Sequence, residues 1–259
     1  MKATHLLRVA TKRIRSVMRL IEFLKPDDFR AKKEIQELRM LFRFAGIQRE
    51  LQVDRKVLTM YEEKHLTIYK HLGELMEEER KYSDYLFKQA KKDFKLKSLH
   101  RPIEKAQKLL KQVPNKAVLE GARSLINIRL KSIQQVMPED YDRILIHKAR
   151  ILLKEAMYLM ELLRQAGDKA SFSKKLIANA KTASEVAGEW HDTESLEQWL
   201  RIQMRPDGPI QINDAKYQLL TQEVKDNARS LALDFRKALS KVVEVEIKGE
   251  NLVGNSGEE

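Results

Sequence analysis

The sequence resembles itself at a constant offset of 142 residues, the separation between His5 and His147, and this repeat constrains the fold most strongly. Two blocks share this register without a gap. The first block pairs His5, Arg8, Lys12 and Met18 with His147, Arg150, Lys154 and Met160. The second pairs residues 32–39 with 174–181 and continues to Ala45-Gly46, which recurs as Ala187-Gly188. The shared register predicts an internal duplication, with a first repeat over 1–136, a second over 139–246 and a disordered tail over 247–259.

Composition and local pattern predict helices almost throughout. The chain has only 9 Gly and 6 Pro, 7% of its residues are aromatic, and no segment alternates as a strand would. Breaks are expected at 25–28, at 112–115, at the loop 205–209, and where Pro138 precedes Glu139 and Asp140. Helices are predicted over 3–24, 31–46, 48–93, 101–112, 115–136, 139–166, 169–187, 191–204 and 213–246. The predicted fold class is all-α, with two helical bundles related by a pseudo-twofold axis.

The net charge of +12 predicts an anionic partner such as nucleic acid, anionic lipid or a phosphate polymer. The absence of Cys excludes disulfides, thiolate metal sites and cysteine nucleophiles, and suits the cytoplasm. No window approaches 18 consecutive apolar residues, so no membrane-spanning helix is expected. The basic opening helix is typical of a transit peptide or a membrane-surface anchor, but its place in a duplicated unit predicts that it belongs to the fold.

A basic stripe on the opening helix is the strongest functional signal. At about 100° per residue, its members fall within one arc about 80° wide, and apolar side chains occupy the other side of the helix. The members of this first basic stripe are His5, Arg8, Lys12, Arg15 and Arg19. Like charges at these spacings cost about 1 kcal/mol together, and the helix has no acid before Glu22 to relieve them. A bound anion would relieve the repulsion, and so would carboxylates on a neighbouring helix.

Repetition of the stripe favours anion binding over an ordinary solvated or ion-paired face. Lys32, Arg39 and Arg43 form a second basic line on the next helix. The second repeat offers His147, Arg150 and Lys154 as a stripe and Lys174 and Lys181 as a line. The duplication therefore predicts a central basic groove to which both repeats contribute.

Several segments are similar to the CHAD domain, the conserved-histidine α-helical domain. "HLLRVATKRIRSVMRL" resembles the signature of its first helix, and "HKARILLKEAMYLMELL" resembles the counterpart in the second repeat. "FAGIQRELQV" (44–53) and "VAGEWHDTESL" (186–196) match at the corresponding bends. The resemblance extends from residue 5 to about residue 240. It implies two pseudo-symmetric bundles around a basic groove that binds inorganic polyphosphate without catalysis or cofactor, often at granules of that polymer in the cytoplasm.

The resemblance carries polyphosphate binding onto individual positions. The expected residues are His5, Arg8, Lys12, Arg13, Arg15, Arg19, Lys32, Arg39, Arg43, Arg49, His147, Arg150, Lys154, Lys174, Lys181 and His191. Met157 stands where the second-repeat motif usually has Arg, and Glu185 corresponds to Arg43, so the second repeat is expected to bind less strongly. Either His5 or His147 could alternatively cap its helix. As phosphate ligands these histidines would take up protons on binding.

Two other classes of function remain open. Nonspecific binding of nucleic acid needs only charge, although no aromatic side chain for stacking lies on the first stripe. The dipeptide His191-Asp192 is typical of all-α metal phosphohydrolases, but supporting ligands such as Glu194 or Asp214 lack clear spacing. Arg49-Glu50 occupies the matching place in the first repeat, and arginine is not a metal ligand. We therefore expect neither a metal nor an enzyme. Oligomeric state has no signal in the sequence.

Overall fold

The computed structural model describes residues 2–137, 140–168, 171–205, 208 and 214–254. Throughout this part of the chain the regular structure is helical, which confirms the predicted all-α class. The α-helices are α1 Lys2–Leu24, α2 Ala31–Glu34, α3 Gln36–His65, α4 Lys70–Asp93, α5 His100–Leu110, α6 Asn115–Val136, α7 Arg143–Gln165, α8 Lys174–Gln203 and α9 Ala215–Gly254. A short 3-10 helix, Leu96–Leu99, precedes α5. Within the same residues no helix combines the length and the apolar character needed to cross a bilayer.

The chain divides into two compact units, Met1–Gly121 and Ala122–Glu259, and the division falls inside α6. Each unit contains a 23-residue helix followed by a 30-residue helix. These are α1 and α3 in the first unit, and α7 and α8 in the second. Helix α9 continues to Gly254, past its predicted end at 246. Residues 255–259 of the predicted tail, and Pro138 and Glu139 of the predicted helix start, lie outside the described residues.

In the first unit, α3 packs against both α1 and α4. The core contains Met18 and Ile21 from α1, Phe29 from the following turn, and Ile35 and Leu38 around the start of α3. Spacings of three and four residues put these α1 side chains on one face, as an amphipathic helix requires. The packing therefore fixes which side of α1 is left for its cations.

In the second unit, α8 packs against α7 and α9. Trp190 of α8 is fully buried, as are Leu153 of α7 and Phe235 of α9, and Trp199 is 8% exposed. Both tryptophans therefore belong to the core of the second unit. The large rings anchor α8 between its neighbours.

Two predicted helix breaks are absent and two real breaks were missed, one of them at Ile35, which separates α2 from α3 within the predicted helix 31–46. Helix α3 runs without interruption through Ala45-Gly46, and α8 runs through Ala187-Gly188, because an isolated glycine weakens a helix without ending it. The predicted helix 48–93 instead ends at His65, where Leu66 adopts a left-handed conformation with φ 50°. A leucine there carries none of the glycine signal on which helix ends are usually predicted.

Candidate anion-binding residues

The first basic stripe lies at the edge of the packed face of α1. Thr4 and Thr11 are buried, and on the helical wheel they fall near about 260° and 240°, next to the stripe. Arg8, Lys12, Arg15 and Arg19 are therefore half-buried, whereas His5 is exposed. Small buried threonines thus extend the packed face of α1 towards the stripe, which still lies outside the apolar core.

Two arginines of the stripe share one aromatic ring. The guanidinium carbon of Arg8 lies 4.6 Å from the centroid of the Phe42 ring, and that of Arg15 lies 5.6 Å from the same centroid. Phe42 belongs to α3, so the contact joins the two predicted basic helices. Sequence reasoning missed Phe42 because it considered aromatic residues only on the helices that carry the two stripes. Its position between Arg39 and Arg43 was the available signal.

The guanidinium of Arg8 also lies against the backbone of α3. A Cβ atom built on Gly46 would come within 2.8 Å of Nη1 of Arg8, closer than side chains tolerate. Glycine is therefore needed at position 46 for this approach. Partial burial of Arg8 lowers its pKa, the carboxylate of Glu50 raises it, and the positive charge of Arg49 lowers it. Two of the predicted cations, Arg8 and Arg49, are thus electrostatically coupled.

Asp142 fixes the start of the helix that carries the second stripe. Its carboxylate accepts hydrogen bonds from the backbone N–H groups of Ile144 and Leu145, at 2.8 and 3.0 Å. About two turns further along α7, Nε of Arg150 donates a hydrogen bond to the carbonyl oxygen of Ala187, at 3.1 Å. In the 142-residue register Arg150 corresponds to Arg8 and Ala187 to Ala45. Each unit therefore holds an arginine of its first long helix against the Ala-Gly segment of its second.

His147 and His191 come together in the second unit, with 5.5 Å between their ring centroids. Burial lowers the pKa of His147, and the positive charges of Arg150 and Arg143 lower it further. The unbound histidine is therefore disfavoured as a cation by Arg150, as expected from the sequence. Asp142 is the N-cap of α7, so His147 does not have the alternative role of capping that helix.

Lys154 has the most altered acid–base behaviour among the predicted ligands. Burial lowers its pKa to about 8, and Arg150 adds to this effect, whereas the carboxylate of Asp192 opposes it. Asp192 therefore acts on a lysine of the second stripe. Among the described residues, no three His, Asp or Glu side chains are grouped as metal ligands.

The remaining predicted residues lie on exposed helical surface. These are Arg13, Lys32, Arg39, Arg43, Lys174 and Lys181. Arg13 falls outside the arc of the stripe by about 80° on the wheel. Lys181 lies 4.0 Å from Glu185, the acidic residue that stands where the first unit has Arg43. Arg143, which the sequence did not single out, lies beside His147 but pairs with the buried carboxylate of Glu194 at 3.1 Å.

The geometry defines an all-helical protein in which basic side chains gather within each of two units. The chain belongs to the CHAD domain family, which matches residues 1–201. Binding of inorganic polyphosphate is the known character of that family. No curated protein and no solved structure matches the chain.

Proposed function

We propose that the protein binds inorganic polyphosphate without catalysis, through the basic stripes and lines of both units. Family membership supports this ligand class. A phosphate polymer has no bases to recognise, so its binding requires an array of cations rather than a shaped specificity pocket. We further propose that binding takes place in the cytoplasm, at granules of the polymer.

The observation that carries the proposal is the ring of Phe42 shared by Arg8 and Arg15. An aromatic face attracts a guanidinium charge without accepting a hydrogen bond from its N–H groups. The planar fork of arginine remains suited to grip two phosphate oxygens at once. The two arginines therefore share an uncharged partner that does not repel an incoming anion, while the carboxylate of Glu50 also acts on Arg8.

The second unit supplies a weaker set of cations. His147 and Lys154 both have lowered pKa values, so each is charged less readily than an arginine at the same place. Met157 carries no charge, and Glu185 places a carboxylate near Lys181. The single groove predicted from the duplication remains a prediction, whereas binding by each unit can be tested separately.

The direct test is the double variant Arg8→Glu/Arg15→Glu of the full chain. It should lower the affinity for long-chain polyphosphate at least about a hundredfold, because two attractive contacts become repulsive. The matched control is Arg30→Glu/Arg101→Glu, which changes the net charge equally at exposed arginines of the same unit. Calorimetry gives the affinities and circular dichroism checks the helices. If both double variants lost affinity for polyphosphate equally, the change in net charge alone would explain the loss, and the assigned site would be refuted.

Two further measurements separate the alternative functions. Single-stranded RNA at matched charge should compete with polyphosphate only weakly, and equal competition would favour a nonspecific nucleic-acid binder. Polyphosphate incubated with the protein and Mg²⁺ or Mn²⁺ should release no phosphate beyond the protein-free rate. Release that disappears in Asp192→Asn would establish a phosphohydrolase instead.

A further inference from the structure

The second unit contains a cleft between α7 and α8 with a volume of about 650 Å³. This volume lies within the range of about 300–1,000 Å³ that is usual for small-molecule sites. Its apolar wall includes Met157 and Tyr158 from α7 and Ala180 from α8. A phosphate polymer has no apolar groups that could contact such a wall. The cleft therefore suits a ligand of a different class.

Comparison within the chain indicates the shape of that ligand. In the 142-residue register, Ser184 corresponds to Phe42 and Ala180 to Leu38, and both Ser184 and Ala180 line the cleft. The second unit thus has a hydroxymethyl group where the first has an aromatic ring, and a methyl group where the first has a leucine side chain. The space left by these two smaller side chains suits a ring brought by a ligand.

The charges of the cleft indicate an anionic group on the ligand. Three cations, Lys154, Arg164 and Lys181, line it together with one carboxylate, Glu161. Lys154 and Lys181 come from different helices, so they flank the cleft from both sides. Methionine and tyrosine side chains pack well against aromatic rings.

We infer that this α7/α8 cleft binds a small aromatic phosphate, with the ring against Met157, Tyr158 and Ala180 and the phosphate facing Lys154 and Lys181. The apolar wall and the small residues Ala180 and Ser184 belong to neither basic stripe nor basic line, so this inference can be tested separately from polyphosphate binding, although Lys154 and Lys181 are cations that both ligands would contact. It assigns the second unit a ligand of its own.

The test uses the full chain and 1-naphthyl phosphate as the probe, with binding followed by calorimetry and by ligand-observed NMR. 1-Naphthol lacks the anion and inorganic phosphate lacks the ring, so each should bind at least about tenfold more weakly than 1-naphthyl phosphate. Equal binding of either fragment would overturn the inference. So would failure of 1-naphthyl phosphate to bind at millimolar concentration.

A variant whose side chain fills the cleft gives the decisive test. Ser184→Phe restores the side chain that the first unit has at this position, and should weaken 1-naphthyl phosphate binding at least about tenfold. The affinity for polyphosphate should remain within about twofold in the same variant, since Ser184 carries no charge. Loss of polyphosphate binding with intact probe binding would contradict the inference, whereas loss of probe binding supports it even if the wild-type protein binds no polyphosphate.

Three further variants separate a filled cleft from a misfolded protein and test the contribution of the charge on Lys154. Ala180→Leu narrows the cleft independently and should also weaken the probe, and it decides the question if Ser184→Phe lowers the helix content. Lys154→Met should weaken the probe about tenfold, whereas Lys175→Met, at an exposed lysine of α8 that does not line the cleft, should leave its affinity unchanged. Unchanged affinity in a folded Ala180→Leu protein would refute the assignment.

Discussion

Arg8 approaches α3 so closely that its Nη1 atom lies 2.8 Å from where a Cβ of residue 46 would stand. Gly46→Ala should consequently change stability and binding in opposite directions. Alanine is favoured over glycine inside a helix by about 1 kcal/mol, and the flexible end of Arg8 can move aside at little cost. The melting temperature should stay the same or rise, while the affinity for polyphosphate falls.

Gly188 provides the matched control for that substitution. It occupies the corresponding position in α8, and a Cβ built there meets no atom within 4 Å. Gly188→Ala should raise the melting temperature without lowering the affinity. If both alanine variants bound polyphosphate as the wild type does, the close approach of Arg8 would have no role in binding.

The ring of Phe42 should contribute to affinity through the arginines that it positions. Phe42→Leu removes the aromatic face and keeps an apolar side chain, and should weaken polyphosphate binding about five- to thirtyfold, because the two lost cation–π contacts are worth about 0.5–1 kcal/mol each. Phe42→Tyr retains the face and should restore the affinity to near that of the wild type. Calorimetry with both variants measures the difference, and equal affinities for Leu and Tyr would exclude a positioning role for the ring.

Lys154 should make binding depend on pH in the mildly alkaline range. Its pKa of about 8 means that the side chain is charged below pH 8 and loses its proton as the pH rises through that value. Bound polyphosphate favours the charged form, so binding near pH 8 should take up protons, and the affinity should fall between pH 7 and pH 9. Calorimetry in buffers of different ionisation enthalpy counts the protons.

Substitution of that lysine by arginine identifies the source of the pH dependence. Lys154→Arg stays charged throughout the range and should flatten the profile, whereas Lys175→Arg should leave the profile as it is. Asp192→Asn removes a carboxylate that raises the pKa of Lys154 and should move the transition to lower pH. A profile that persists in Lys154→Arg would assign the titration to another group.

Salt should weaken polyphosphate binding by displacing condensed counterions. By analogy with nucleic acid, the logarithm of the affinity should fall linearly with the logarithm of the salt concentration, with a slope that counts phosphate contacts. Neutralising two contacts in Arg8→Met/Arg15→Met should reduce the magnitude of that slope by about two. An unchanged slope in this double variant would show that the two arginines do not touch the polymer.

Asp142 should stabilise the helix that bears His147 and Arg150. Asp142→Ala removes the acceptor for two backbone N–H groups and should lower the free energy of unfolding by about 1 kcal/mol. Asp140→Ala removes a nearby exposed carboxylate and serves as the control in a urea titration. Equal stabilities of the two variants would contradict the capping role.

Periodicity identified α1 almost to the residue, because its cations and apolar side chains repeat at helical spacing. The same reasoning placed a break at Gly46, where the helix is continuous, and overlooked the left-handed Leu66, because local composition does not register the tertiary packing of α3. Arg8 and Arg150 correspond in the 142-residue register, and in the structure each lies against the Ala-Gly segment of the second long helix of its unit. Phe42 had one signal in the sequence, its position between Arg39 and Arg43, whereas the cleft beside Ser184 could not be anticipated, since it depends on which faces of two helices meet.

The uninterrupted course of α3 has a consequence for how a polymer must be held. Arg39, Phe42, Arg43 and Arg49 are mounted on one stiff rod, with an axial rise of about 1.5 Å per residue. No hinge at Gly46 lets the charges on its two sides adjust independently. A bound phosphate chain would have to adopt the spacing of these side chains on α3, so the entropy cost of ordering would fall on the ligand rather than on the protein.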